Sequence, residues 1–311
     1  MPTKPVLPSK NDNWIKYGGA LLLLGVFAIF IAILVFSVIS NSLMGKCVAV
    51  VNIDGEITTA SSPQSLFSSF SPGSEDIART VKALNSRDDV GAVLFVINSP
   101  GGGVVATREI YDAVKELDKP KVSYFREMAA SGGYYVATAT DYIVSEPLAL
   151  TGSIGVRMTL NDLSGLLDKI GVNFTEIKSG EQKDMGSPYR PMTAEERQVL
   201  QTLVDEIFED FKSAVVSGRG EKLDMAKFNK ILDARVVSGK QAKEIGLVDE
   251  LGNKGDAIMA AARLANITDE NPRICQIQIS SSASSGLFDT SALIQAIKGG
   301  TGGTKVSVKY E

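Results

Sequence analysis

Two glycine-rich turns limit what this chain can fold into. Ser99-Pro-Gly-Gly-Gly103 follows the apolar run Ala92–Ile97, and Ser131-Gly-Gly133 follows Lys121–Phe125 and the extended segment Arg126–Ala130. A helical pattern comes after each turn, Ala106–Leu117 in the first case and Tyr134–Thr138 in the second. A continuous apolar run suits a strand covered on both faces, as in a parallel sheet. Val48–Ile53, Tyr142–Val144, Val156–Leu160 and Phe174–Ile177 extend the strand series, while Glu75–Leu84 and Asp162–Lys169 read as helices. Pro120 stops one helix before the next strand. Thr193-Ala-Glu-Glu196 is a capping box that opens a long amphipathic helix to about Ser217. Asp224–Leu232 and Lys254–Leu264 are further helices. This alternation predicts one α/β domain of βαβ units over residues 46–280.

Residues 18–40 carry no charge. At about 1.5 Å per residue they span about 35 Å, enough for a hydrocarbon core of about 30 Å. A cleaved signal peptide would have a shorter apolar core and a small-residue cleavage site, which Asn41-Ser-Leu-Met-Gly45 matches poorly. A retained transmembrane helix is the better reading. Lys4, Lys10 and Lys16 precede the run against a single Asp12, with Trp14 and Tyr17 at its edge. The positive-inside bias keeps residues 1–17 in the cytoplasm and places the remainder outside the cell membrane.

Residues 281–311, with Ser- and Gly-rich stretches, read as a flexible tail. The formal charge of −4 offers no electrostatic reason to expect a nucleic-acid partner. Cys47 and Cys275 are too few for a disulfide framework, and the sequence favours two unpaired structural thiols. The chain contains no histidine, so no cofactor or metal is called for by these residues. Asn173-Phe-Thr and Asn266-Ile-Thr are glycosylation sequons where the machinery exists.

Without histidine, a hydroxyl nucleophile needs another base. Ser131, at a strand–turn–helix junction, would present its hydroxyl with backbone N–H groups and a helix N-terminus nearby. The bland alternative, a helix cap, accounts for Ser131 but not for the second glycine turn. Gly102 and Gly132 are the candidate oxyanion donors, each such donor being worth about 3–4 kcal/mol where measured. Phosphate binding is the rival use of such a turn, but no Gly-Lys-Ser/Thr follows it. Lys183 is the candidate base. A lysine serves as one only as the free amine, and neutralising an ammonium near pH 7 costs about 4.6 kcal/mol, which burial can supply.

Four motifs then agree with a known family. Ser99-Pro-Gly-Gly, Ala130-Ser-Gly-Gly-Tyr-Tyr, Thr151-Gly-Ser-Ile-Gly155 and Ile177-Lys-Ser-Gly…Lys-Asp184 resemble the signal peptide peptidase A (protease IV) family, in its short single-repeat form. The later stretch Gly246-Leu-Val-Asp-Glu-Leu-Gly252 is similar too. The resemblance implies a ClpP/crotonase-like fold of repeated ββα units behind one transmembrane helix. It implies Ser131 as nucleophile, Lys183 as general base, and Ser153 orienting the lysine amine. Remnant signal peptides and similar apolar peptides are the implied substrates, with membrane lipid around the anchor and a homo-oligomer as the assembly. Three other expectations compete with it. They are a related Ser–Lys membrane peptidase acting on stomatin-like proteins, crotonase-type acyl-CoA chemistry, and an inactive membrane scaffold.

Overall fold

The computed structural model describes residues 25–32, 45–62, 71–279 and 308–310. The chain divides into two units, Met1–Lys46 and Cys47–Glu311. In the first, residues 25–32 are helical, and the rest of the predicted span 18–40 lies outside the described residues. Among the described residues no helix is long and apolar enough to cross a membrane.

The second unit begins with β1 (Cys47–Asp54), α1 (Ser74–Ala83), β2 (Val90–Ser99) and the short β3 (Gly102–Gly103). Next come α2 (Val104–Lys115), β4 (Lys121–Ala130), α3 (Gly132–Ala137), β5 (Tyr142–Ser145), β6 (Leu150–Gly152) and β7 (Arg157–Met158). The helices α4 (Ser164–Ile170), α5 (Ala194–Arg219) and α6 (Met225–Phe228) precede β8 (Val236–Ser238) and α7 (Gly239–Ile245). Last are β9 (Glu250–Leu251), α8 (Lys254–Leu264), β10 (Ile274–Gln276) and β11 (Val308–Tyr310).

The main sheet runs β10-β1-β2-β4-β5-β9, with β6 branching from β4 and pairing β8. All its pairs are parallel except β6 with β8. The apolar runs that predicted doubly covered strands are buried on both faces. Val93, Phe95 and Ile97 of β2 join Ile110 and Val114 of α2 in one cluster. Ala92, Leu94 and Val96 face the other way, against Ala257, Ala260 and Ala261 of α8. The small alanines let that helix lie close to the strands. The capping box at Thr193 and Glu196 forms as predicted, and α5 continues two residues past Ser217 to Arg219.

Arg219, almost fully buried, ends α5 on a two-pronged ion pair with Asp249 at 2.9 and 3.0 Å. Asp249 also accepts the Ile143 N–H at 2.8 Å. Burial pushes the Asp249 carboxyl up, but the hydrogen bonds and charge of Arg219 outweigh this and hold it below its ordinary value. The pair therefore fastens α5 to the β5–β9 edge of the sheet.

Three expectations need correction. Cys47 and Cys275 are not free thiols but are joined in a disulfide, their Cα atoms 5.9 Å apart. The cause is β10, which adds beside β1 in parallel, with Val48 opposite Ile274. Phe174–Ile177 is not a strand, because among the described residues no segment offers it a ladder, and Ile177 is 97 % exposed. Of Val156–Leu160 only Arg157–Met158 is a strand, where β11 pairs with it. Most of the predicted tail 281–311 lies outside the described residues, but Val308–Tyr310 is a strand.

Candidate active site

β2 and β4 both end in turns, and the turns meet. At the first, the Gly101 N–H donates to Ser99 Oγ at 3.1 Å, and Gly101 takes φ 109°, a conformation that favours glycine. The Ile57 N–H donates to the Gly101 carbonyl at 2.8 Å, and the Gly103 N–H returns a bond to the Ile57 carbonyl at 2.9 Å. A Cβ on Gly102 would lie 2.0 Å from the Ile57 oxygen, so that close approach excludes any side chain. The second turn packs as tightly. A Cβ on Gly132 would lie 2.5 Å from Thr107 Oγ1 and 3.4 Å from the Gly101 Cα. Gly132 therefore sits against the first turn, so the two predicted oxyanion donors belong to one locus.

Ser131 stands between β4 and α3 at φ 53° and ψ −120°. A non-glycine residue there costs about 1–3 kcal/mol and persists only where its surroundings hold it. Its N–H donates to the Gly152 carbonyl at 2.9 Å, which contributes to that restraint. Its side chain is buried, and its Oγ has no hydrogen-bond partner among the described residues. A buried hydroxyl without a partner costs about 1–3 kcal/mol. Thr107 Oγ1, beside Gly132, is also unpartnered among the described residues.

Ser153 comes to the same place by a different route. β4 and β6 pair Ala130 with Gly152, so Ser131 and Ser153 each lie one residue beyond the last paired positions. Ser153 is almost fully buried, also has positive φ (50°), and its N–H donates to the Arg235 carbonyl at 3.0 Å. Gly102, Gly132, Ser131 and Ser153 are thus brought together.

Lys183 lies on the 3-10 turn Glu181–Asp184, exposed to solvent, and its Nζ makes no hydrogen bond or ion pair among the described residues. The neighbouring Asp184 does not hold it. Asp184 bonds Arg190 at 2.8 and 2.9 Å and Lys178 at 2.7 Å. Arg190 in turn reaches Glu196, the third residue of α5, at 2.9 Å. Sequence reasoning missed this clamp. Its one signal was the equal spacing of Asp184, Arg190 and Glu196.

The hydrogen bonds of Arg190, then of Lys178, hold the Asp184 carboxyl well below the usual carboxylate range. Arg190, then the Thr193 N–H, bring Glu196 down to about 2. Both carboxyls are depressed, so the clamp contributes fully above the unfolded-state values of about 4 and weakens as pH falls toward about 2. Backbone hydrogen exchange across residues 178–190, corrected for intrinsic rates, should therefore be faster at pH 2.5 than at pH 5. Arg190→Gln should show the fast exchange already at pH 5. Equal protection at both pH values would argue against the clamp.

The profile of peptidase family S49 matches residues 113–268, and a Clp protease profile matches residues 71–154. A Methanocaldococcus jannaschii protein named provisionally as a protease is 44% identical over 195 residues, 62% of this chain and 61% of that protein. The chain thus spans less than two thirds of that relative. An Enterococcus faecium protein named provisionally as signal peptide peptidase SppA is 35% identical over 78% of this chain and 71% of its own length. Protease 4 of Haemophilus influenzae is 30% identical over 70% of this chain but only 35% of its own length. A mutant of the 1510-N membrane-bound stomatin-specific protease has a solved structure matching 76% of this chain and 99% of that one, at 14% identity and a TM-score of 0.47. On the profile and the relatives named for it, the chain belongs to peptidase family S49, the signal peptide peptidase A family of serine peptidases.

Proposed function

We propose that this chain is a membrane-anchored endopeptidase that hydrolyses remnant signal peptides and similar apolar peptides through a Ser131–Lys183 dyad. One observation carries the reading. The Ser131 Oγ is buried and, among the described residues, unpartnered, at a strained backbone position where two glycine turns converge. A hydroxyl kept without a partner at such a cost is available to a reacting carbonyl.

Ser131 Oγ attacks the scissile carbonyl carbon and gives its proton to the neutral amine of Lys183. The N–H groups of Gly102 and Gly132 hold the resulting oxyanion. As the C–N bond breaks, Lys183 returns the proton to the leaving amine. It then takes a proton from water, whose oxygen adds to the ester carbonyl, and hands that proton to Ser131 Oγ as the C–O bond breaks, freeing the acid and restoring both the hydroxyl and the neutral amine. Ser153, beside Ser131, accepts from the lysine amine and orients it.

Lys183 is exposed within its own chain, so a neighbouring copy supplies it. The segment that bears it is unusually apolar for its exposure, with Leu166, Ile170, Phe174 and Ile177 all open to solvent. Docking on a second copy would bury those residues and move Lys183 into a site where desolvation favours the neutral amine. The disulfide suits an oxidising compartment outside the cytoplasm, in keeping with an anchor at residues 18–40.

Complementation tests both the dyad and the trans arrangement. Ser131→Ala and Lys183→Ala should each be inactive alone, with folding and assembly unchanged. Equal mixing and reassembly should restore about a quarter of the parent activity, since one site in four then joins an intact serine to an intact lysine. No recovery, with mixed assemblies demonstrated, would remove the trans arrangement. Full activity in either single variant would remove the dyad.

A further inference from the structure

Each glycine turn leads into a helix, α2 after Gly103 and α3 at Gly132. Where Gly132 lies against Gly101, neither glycine has a side chain to interlock with the other turn. Side-chain packing is what fixes how two elements sit, so the angle between α2 and α3 is set further along them. One carboxylate joins them there. Asp210 of α5 accepts the Tyr135 hydroxyl through Oδ2 at 2.7 Å and Arg108 Nη1 through Oδ1 at 2.8 Å. Tyr135 belongs to α3, and its N–H donates to the Ser131 carbonyl at 2.9 Å. Arg108 belongs to α2, about one turn beyond Gly103. The Tyr135 ring is buried between the helices. It stands edge-on to Tyr111 of α2, with centroids 4.9 Å apart, and 5.1 Å from Phe211 of α5.

We propose that Asp210 is a positioning residue, which braces α2 and α3 against α5 so that the Gly102 and Gly132 N–H groups converge on one oxyanion. The assignment rests on the peptidase reading. Its two carboxylate oxygens serve different helices, and each of those helices leaves a turn that carries one candidate donor. A role in holding the fold together fits the same observations poorly. The Arg108 and Asp210 side chains are 50 % and 43 % exposed, and ion pairs so open to water contribute little to stability. Geometry is what the brace supplies. A shift of about 1 Å, caused far from the chemistry, can cost about a hundredfold in rate. α5 has a second attachment at its other end, where Glu196 accepts from Arg190 and so reaches the segment that bears Lys183. One helix is therefore the reference for both oxyanion turns and for the lysine segment.

The test compares the full chain with its Asp210→Ala, Asp210→Asn, Tyr135→Phe and Asp210→Ala/Tyr135→Phe variants. Hydrolysis of an apolar peptide gives kcat and KM. A peptide boronate supplies the second readout, because its tetrahedral adduct on Ser131 Oγ puts an oxygen where the oxyanion would lie. Asp210→Ala and Tyr135→Phe should each lose about tenfold in kcat, with KM within about twofold of the parent. The boronate inhibition constant should rise by the same factor, since it follows transition-state binding. Thermal midpoints should stay close to that of the parent. The double variant should match Asp210→Ala, because Tyr135→Phe then removes a bond already lost. Asp210→Asn, which still accepts from Tyr135, should keep more of kcat than Asp210→Ala.

Unchanged kcat in both Asp210→Ala and Tyr135→Phe would overturn the assignment. So would a fall in kcat that tracks a lower midpoint while boronate inhibition stays as in the parent. An active parent with insensitive variants removes this assignment alone. A parent that hydrolyses no peptide, or a Ser131→Ala chain as active as the parent, removes the peptidase reading and the assignment with it.

Discussion

Ser131→Ala should abolish peptide hydrolysis without loosening the fold. Deleting the nucleophile of a serine hydrolase lowers kcat by about a millionfold, and that is the scale expected here. The stability side of the result is equally diagnostic. The Ser131 Oγ is buried and bonds nothing among the described residues, so its removal leaves no partner there unsatisfied. Removing a buried unpaired hydroxyl gives back up to about 1–3 kcal/mol. Thermal unfolding should therefore show an unchanged or higher midpoint for the variant. The φ of 53° persists with alanine, so that part of the strain is not relieved. Loss of activity together with a clearly lower midpoint would mean that Ser131 supports the fold. More than a tenth of the parent activity would remove it as the nucleophile.

Loss of the Cys47–Cys275 disulfide should be the largest single effect on stability. The bond closes a loop of 228 residues, and on the chain-entropy account a loop of that length constrains the unfolded state by about 5 kcal/mol. Measured effects commonly fall to about 2–4 kcal/mol. The local structure agrees in direction. β10 is an edge strand, and the bonds linking its segment to β1 run from the Val48 N–H to the Arg273 carbonyl and from the Ile277 N–H to the Val50 carbonyl. Urea unfolding of the Cys47→Ala/Cys275→Ala double variant should show the loss as a lower midpoint, and the fully reduced parent should match it. The oxidised parent should change little on brief exposure to reductant, because Cys47 is fully buried. Equal midpoints for the parent and the double variant would show that the cross-link carries no stability.

The sequence was most informative where neighbours in the chain are also neighbours in space. Val48–Ile53 and Ala92–Ile97 declare buried strands, and Thr193 with Glu196 declares a helix start, because periodicity and capping act within a few residues. The error at Phe174–Ile177 has the same origin. An apolar β-prone run has strand character, but a strand exists only where a partner edge is present, and among the described residues none is. Cys47 and Cys275 failed for a related reason. Nothing near either cysteine records that β10 returns to β1. At the site, the turns of Ser131, Gly102 and Gly132 were legible in the sequence and Ser153 entered only through the family resemblance, whereas the Asp184–Arg190–Glu196 clamp and the exposed position of Lys183 were not legible.

The residues alone point to a kind of chemistry. With no histidine, a lysine is the proposed base for hydroxyl activation, and the two glycine turns are the candidate place for an oxyanion. Only the tertiary structure decided which distant segments share a site. It sets Gly132 against Gly101, lays Val308–Tyr310 between β3 and β7, joins the cysteines, and leaves Lys183 exposed to solvent. The physical reason is one of range. Turn geometry and hydrophobic period are properties of short windows, whereas strand order and close packing depend on which surfaces of the whole chain exclude water from one another.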